Sequence, residues 1–255
     1  MIDLHTHILP GLDDGSDALE ESLAMAELAV EGGTIGIVVT PHSNQSGRFE
    51  NYCSNELKNV YDTFEKALIS NNIPLKLYRG MEIYASWDVA EKIADGRLRG
   101  LGDSDYYLIE FPFDIDSEDM GNILESVLNI GKTPVIAHPE RYGCVQYYPG
   151  VLYEWMAMGC LSQLNKGSLF GRFGRGAAKT AALLLDFDLA TCIASDAHSS
   201  TMRTTYMGDI REALEENYDF DYAKLLLYDH PVKILKNRRI PFMGRPPVRR
   251  RSIFR

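Results

Sequence analysis

Two histidines one residue apart, His5 and His7, open the chain in the string MIDLHTH. Side chains alternate across a β-strand, so on a strand both imidazoles point to the same side and could share a metal ion. One pair is weak support, but three of the other four histidines recur in the same setting: an apolar, β-rich run that closes on a potential ligand. These runs are IGIVVTPH ending at His42, TPVIAH ending at His138 and TCIASDAH ending at Asp196 and His198. Glu82 and Glu110 close two further runs, and a carboxylate inside an apolar strand is costly unless it is paired or binds a metal. Imidazole mixed with carboxylate suits manganese, iron or zinc, and the absence of cysteine from the set removes any thiolate selection for zinc. Taken singly, the residues have plainer readings. His42 after a proline is more often a strand-end residue bonded to backbone, Asp13 and Asp14 could shape a turn before Gly15, and His230 reads as structural.

Ligands this scattered meet only if strand ends are brought together. Alternating helical and strand periodicity predicts strands near residues 35–40, 75–79, 106–111, 133–137, 161–165 and 190–194, besides the N-terminal one. Helices are predicted near 54–71, 87–95, 117–131, 150–158, 174–186, 206–217 and 221–228. Another, running to about Glu31, would be capped by Ser16 or Asp17, with Leu19, Leu23, Ala26 and Val30 as its stripe and Gly32-Gly33 as its stop. Near-continuous apolar strands such as IGIVV and TPVIA suit a parallel sheet covered on both faces. The expected fold is α/β, a distorted (β/α)7 TIM-like barrel in a single domain over residues 1–240, followed by a basic tail over 241–255. Every candidate ligand then falls at or beyond a strand's C-terminal end, on the face where such barrels collect catalytic groups.

The chain has 255 residues, is 45% hydrophobic and carries a formal charge of -10. That length buries a full core, and the acidic balance excludes a general nucleic-acid binder, which needs a basic face. No stretch is long and apolar enough for a membrane span and the start lacks a signal-peptide pattern, so a cytoplasmic location is expected. The four cysteines lack metal-type spacing and are expected to be reduced.

The strings MIDLHTHILPGLDDG, GMEIY, YLIEFP, PVIAHPERY and ASDAHSSTMR, in that order, resemble the PHP (polymerase and histidinol phosphatase) superfamily, most closely its bacterial protein-tyrosine phosphatases of capsular and exopolysaccharide operons. The resemblance covers residues 1–240. It implies three divalent ions, manganese first: one held by His5, His7, Glu82 and Asp196, a second by bridging Glu82 with Glu110 and His138, a third by Asp14, His42 and His198. It further implies hydrolysis of a phosphoester by metal-activated water, with Arg141 and Arg203 assisting. Four carboxylates against three such ions leave about two positive charges, a setting for a phosphate dianion. Glu110 favours the tyrosine phosphatase branch, since many small-molecule members carry His at that step. The string SNQSGRF after His42 departs from the family's basic pattern, and Arg48 within it is a further candidate.

The implied partner is a phosphotyrosine protein, the tail of a bacterial tyrosine kinase, with peripheral proximity to a membrane through that kinase or the arginine-rich tail. A small metabolite such as histidinol phosphate and a non-catalytic PHP module are the alternatives. Cysteine-dependent chemistry is excluded, because it needs arginine six positions after the cysteine, and Asn59, Gly150, Lys166 and His198 stand there instead. Asn165 and Lys166 could face the pocket or solvent. The segment from Gly244, with Arg245, Arg249, Arg250, Arg251 and Arg255, reads as a solvated arm.

Overall fold

A computed structural model describes residues 1–247. Among these residues every strand pairing is parallel. The strands are β1 (Ile2–Thr6), β2 (Gly36–Val39), β3 (His42–Ser43), β4 (Lys76–Arg79), β5 (Glu82–Tyr84), β6 (Tyr106–Glu110), β7 (Thr133–Ala137), β8 (Leu161–Asn165) and β9 (Cys192–Ala194). They form one sheet in the order β1-β2-β4 and another in the order β3-β5-β6-β7-β8-β9. The two sheets share chain segments, since β3 follows β2 after Thr40-Pro41 and β5 follows β4 after Gly80-Met81. The sequence pattern predicted one strand where each of these pairs lies. Pro41 brings no N–H to the ladder, so β2 must end before it. At Gly80 a Cβ would lie 2.6 Å from Val38 Cγ1, so only glycine lets the second chain pass at that distance.

The outermost strands also meet. The Asp196 amide donates to the His5 carbonyl at 2.9 Å, the His7 amide donates to the Ala197 carbonyl at 2.9 Å, and Thr6 and Ala197 form a parallel bridge.

The helices that cover the strands are α1 (Leu19–Glu31), α2 (Asn55–Ser70), α3 (Val89–Ala94), α4 (Ser117–Asn129), α5 (Gly143–Tyr147), α6 (Gly150–Met158), α7 (Lys166–Leu169), α8 (Gly174–Asp186), α9 (Gly208–Asn217), α10 (Phe220–Lys224) and α11 (His230–Leu235). The start of α1 corrects the predicted cap. Ala18 occupies the cap position with no side-chain bond, while Ser16 Oγ donates to the Ala18 carbonyl and pairs with Ser22 Oγ. The helix predicted over 221–228 continues through a π-helical turn, Leu225–Asp229, into α11. Pro231, which has no N–H to give, follows this π-helical turn closely. The short α5 and α7 escaped the sequence pattern because they hold barely one turn each.

Both sheet faces are dry. Tyr107, Ile109 and Ile136 belong to a large apolar cluster under the helices, whereas Tyr106, Leu108 and Val135 belong to a smaller one closed by Ile234 of α11. His230 Nδ1 donates to the Thr191 carbonyl at 2.8 Å and ties α11 to the start of β9, a structural role. Arg245 does not run free: its amide donates to the Phe187 carbonyl and its Nε donates to Asp188 at 3.1 Å. Arg249, Arg250, Arg251 and Arg255 lie outside the described residues. No helix among the described residues is long and apolar enough to cross a membrane.

Candidate metal centre

Five imidazoles and four carboxylates gather where β1, β6, β7 and β9 end and where β3 and β5 begin. Glu82, the first residue of β5, lies at the middle with 1% of its side chain exposed. Its Oε1 is 3.1 Å from His138 Nε2, and its Oε2 is 3.2 Å from His5 Nε2, 3.1 Å from His7 Nε2 and 3.0 Å from His42 Nδ1. Burial alone would raise the Glu82 carboxyl, but His5 and His42 overcome it and hold the group well below the usual range. Glu110 is 3.6 Å from both His42 Nδ1 and His138 Nε2. Burial and the neighbouring Glu82 push its carboxyl up to about 7. Asp14 reaches His42 Nε2 at 3.4 Å and His198 Nε2 at 3.5 Å, and hydrogen bonding to these two rings depresses its carboxyl.

A second layer fixes which nitrogen each ring offers. Gln163 Nε2 donates to the Leu164 carbonyl at 2.7 Å, which turns Oε1 toward His5 Nδ1 at 2.8 Å, so His5 Nδ1 carries the proton. Asp13 Oδ2 lies 2.7 Å from His7 Nδ1, and a carboxylate only accepts, so His7 is protonated at Nδ1 as well. Both Nε2 lone pairs therefore face each other at 3.1 Å. Lone pairs at that distance repel unless a proton or a cation lies between them. Burial would lower the His7 imidazole, yet Asp13 and Glu82 raise it well above its ordinary value, a sign of how strongly the cluster calls for positive charge. Asp196 is oriented in the same manner. Its Oδ2 accepts from Asn165 Nδ2 at 2.5 Å and pairs with Arg203, leaving Oδ1 at 3.5 Å from His5 Nε2 and 3.6 Å from His7 Nε2.

Grouped by ligand atoms within 4.8 Å of one another, the residues form three sets: His5, His7 and Asp196; His42, Glu82 and Glu110; His7, Asp14, His42 and His198. Spacing, burial and fixed tautomers of these N and O donors fit divalent cations. His7 and His42 stand between sets, and His138 joins through Glu82 and Glu110 rather than through a set of its own.

Local backbone serves this convergence. His138 and Asp196 adopt left-handed conformations, with φ of 35° and 50°, which swing their side chains off the ends of β7 and β9. Gly15 crosses His7 so closely that a Cβ would lie 2.1 Å from the His7 carbonyl oxygen and 2.5 Å from its Cβ. The Gly15 and His42 amides donate to Asp13, which is therefore a hub rather than a turn-former only.

The centre floors a cavity of about 290 Å³ whose walls include Arg48, Tyr84, Phe113, Arg141 and Arg203. Arg141 Nη1 is 3.5 Å from Asp196 Oδ2, and Arg203 pairs with the same oxygen. Arg48, 60% exposed, reaches Asp14 at 3.5 Å. Lys166 turns away from this cavity to the Tyr206 carbonyl and Asp209, whereas its neighbour Asn165 turns toward Asp196.

The whole chain can be set beside known proteins on this geometry. Residues 1–236 match the family described as capsular polysaccharide synthesis, CpsB/CapC. The chain belongs to the CpsB/CapC family. Among curated relatives, the tyrosine-protein phosphatase YwqE of Bacillus subtilis (strain 168) is 34% identical over 254 residues, covering 100% of this chain and 99% of that one. The tyrosine-protein phosphatase CpsB of Streptococcus pneumoniae is 33% identical over 247 residues, covering 94% and 100%. A solved structure from a study of YwqE and CpsB, described as unique metal-dependent tyrosine phosphatases, superposes with a TM-score of 0.88 at 33% identity over 97% of this chain and 98% of that one. For this CpsB/CapC chain, the family match and the superposition of the whole fold agree. Of the orienting residues, sequence reasoning missed Gln163 and the bond from Asp13 to His7, whereas Asn165, left open between pocket and solvent, takes the pocket side. Gln163 and Asn165 carried a faint signal, two polar side chains on one face of the strand LSQLN.

Proposed function

We propose that this chain is a metal-dependent protein-tyrosine phosphatase acting on the phosphotyrosine tail of a tyrosine kinase in capsular or exopolysaccharide synthesis. The observation that carries the reading is the convergence of nine candidate N and O ligands, seven of which line one cavity together with the guanidiniums of Arg141 and Arg203. Membership of a family described by capsular polysaccharide synthesis, with relatives named tyrosine-protein phosphatases, supports the substrate and the setting. A cytoplasmic location is the compartment this substrate requires. Three divalent ions, manganese first, are assigned to the centre: one with His5, His7, Glu82 and Asp196, one with Glu82, Glu110 and His138, one with Asp14, His42 and His198. Barrel closure is part of the same reading, supported by the Thr6–Ala197 bridge and the bonds joining β1 to the residues after β9.

When bound, such ions lower the pKa of water toward neutrality and neutralise developing charge on phosphoryl oxygens. The protein's own groups do the rest. Arg141 and Arg203, anchored on Asp196 Oδ2, turn their remaining N–H donors to the non-bridging oxygens, where planar forks suit bidentate contact. Tyr84 and Phe113 on the wall give an aryl ester an apolar face. Asp13, Gln163 and Asn165 keep the ligand atoms aimed without touching substrate.

The deciding experiment compares hydrolysis of a phosphotyrosyl peptide, a phosphoseryl peptide and histidinol phosphate, each before and after chelation and with manganese restored. Phosphotyrosine preference that chelation abolishes and manganese restores is expected. Full turnover after chelation, or preference for histidinol phosphate, refutes the reading.

A further inference from the structure

Arg141 lies between two aromatic rings. Its guanidinium carbon is 4.4 Å from the centroid of Phe113 and 4.3 Å from that of Phe173, and Phe173 also faces Arg203 at 5.4 Å. The nearest carboxylate oxygen, Asp196 Oδ2, is 3.5 Å away, at the far edge of a useful hydrogen bond, and is shared with Asn165 and Arg203. That ion pair alone leaves the plane of the Arg141 guanidinium loosely set. Packing against the two rings restricts how the guanidinium can turn and consumes none of its N–H donors, so those not directed at Asp196 stay available for phosphoryl oxygens.

The rings are themselves held. The Phe113 carbonyl accepts from the Gly143 amide at 2.9 Å, which fixes Phe113 to the segment that carries Arg141. Phe173 lies in the loop between α7 and α8, where Gly171 takes a φ of 76°, just before Gly174 opens α8 at 90°, and Arg172 of the same loop donates to the Met202 carbonyl beside Arg203.

We propose that Phe113 and Phe173 are positioning residues that clamp Arg141, with Phe173 steadying Arg203 as well, so that the two guanidiniums meet a phosphoryl group in fixed orientation. The proposal deepens the phosphatase reading and rests on it for its kinetic consequence.

The test uses Phe173→Leu and Phe113→Leu, with Phe173→Tyr as the conservative variant and Phe170→Leu as a control for lost apolar surface, since Phe170 is 45% exposed and stands outside the stack. Expected are a fall of about tenfold in kcat/KM for a phosphotyrosyl peptide with Phe173→Leu at unchanged metal content, and recovery with Phe173→Tyr. In an Arg141→Ala background the same change should cost far less, leaving only its effect through Arg203. A second arm needs neither metal nor substrate: phenylglyoxal modification of Arg141 in metal-free protein, followed by peptide mass spectrometry, should quicken about threefold or more in either leucine variant. Wild-type kcat/KM in both leucine variants, an equal loss in the Arg141→Ala background, or an unchanged modification rate overturns the clamp. A wild-type protein inactive on phosphotyrosine defeats the functional reading instead, and the modification arm then still decides the clamp.

Discussion

Replacing Asp13 by asparagine changes one oxygen to an amide nitrogen in a residue that touches no substrate, and it should weaken metal binding. The wild-type carboxylate accepts three bonds: from His7 Nδ1 at 2.7 Å and the His42 amide at 2.9 Å on Oδ2, and from the Gly15 amide at 3.0 Å on Oδ1. Asparagine has one acceptor oxygen. If that oxygen serves His7 and His42, the new NH2 confronts the Gly15 N–H; if it serves Gly15, the NH2 confronts His7 and the His42 N–H. The Gly15 donor loses its acceptor in the first orientation and the His7 and His42 donors lose theirs in the second, and the bond to His7 loses its charge in both. A charge-assisted bond of this kind contributes about 1.5–3 kcal/mol, which corresponds to roughly 10–100-fold in metal affinity, the usual cost of losing an outer-layer partner. Isothermal calorimetry with manganese, on wild type and Asp13→Asn shown by circular dichroism to be folded, measures it. Equal affinities with the fold intact would refute the argument that Asp13 holds His7 for the metal.

Gly15→Ala forces a Cβ to within 2.1 Å of the His7 carbonyl, so the variant should lose about 1–3 kcal/mol in urea unfolding and bind manganese more weakly; wild-type values for both would show that the crossing can relax. Glu140 is buried, its Oε1 accepts from the Asn165 amide at 3.0 Å, its Oε2 lacks a partner, and burial pushes its carboxyl up to about 7 from 4.5. A carboxyl raised on folding binds its proton more tightly in the native state, so its contribution to stability is fully present below the unfolded value and is lost as pH rises through the folded one. Between pH 4.5 and 7 metal-free wild type should lose about 3 kcal/mol relative to Glu140→Gln, and parallel urea-unfolding curves at pH 5 and pH 8 would contradict this. Glu110, His5, His7 and His42 all have raised values without ions, so metal uptake near neutral pH should expel protons. Calorimetric enthalpies for manganese should accordingly differ between buffers of different ionisation enthalpy, and buffer-independent heats would rule out proton-metal exchange.

Apart from Asp14, which only the family resemblance singled out, the inner ring of the site was legible because its residues announce themselves twice, by type and by place. His5 and His7 alternate on a strand, and Asp196 and His198 end an apolar run, so chemistry and periodicity agree on them. The outer ring was not legible, because its roles are set by direction. Asp13 and Asp14 are adjacent and alike in sequence, yet one turns inward to His7 while the other is 44% exposed and faces His42 and His198. Phe113 and Phe173, 60 positions apart in the chain, become a pair only when folding sets Arg141 between them. The alternation of strand and helix was readable in the same way. The divisions of β2 from β3 and of β4 from β5 were not, because they depend on which neighbour each segment pairs with rather than on its own composition.

The central claim is that nine side chains form one centre for divalent cations. Anomalous diffraction at the manganese edge, from crystals of the manganese-loaded protein, tests it most directly. Three peaks are expected, one bounded by His5, His7 and Asp196, one by Glu82, Glu110 and His138, and one by Asp14, His42 and His198. A manganese-saturated crystal with no peak within coordinating distance of these nitrogens and oxygens would contradict the account.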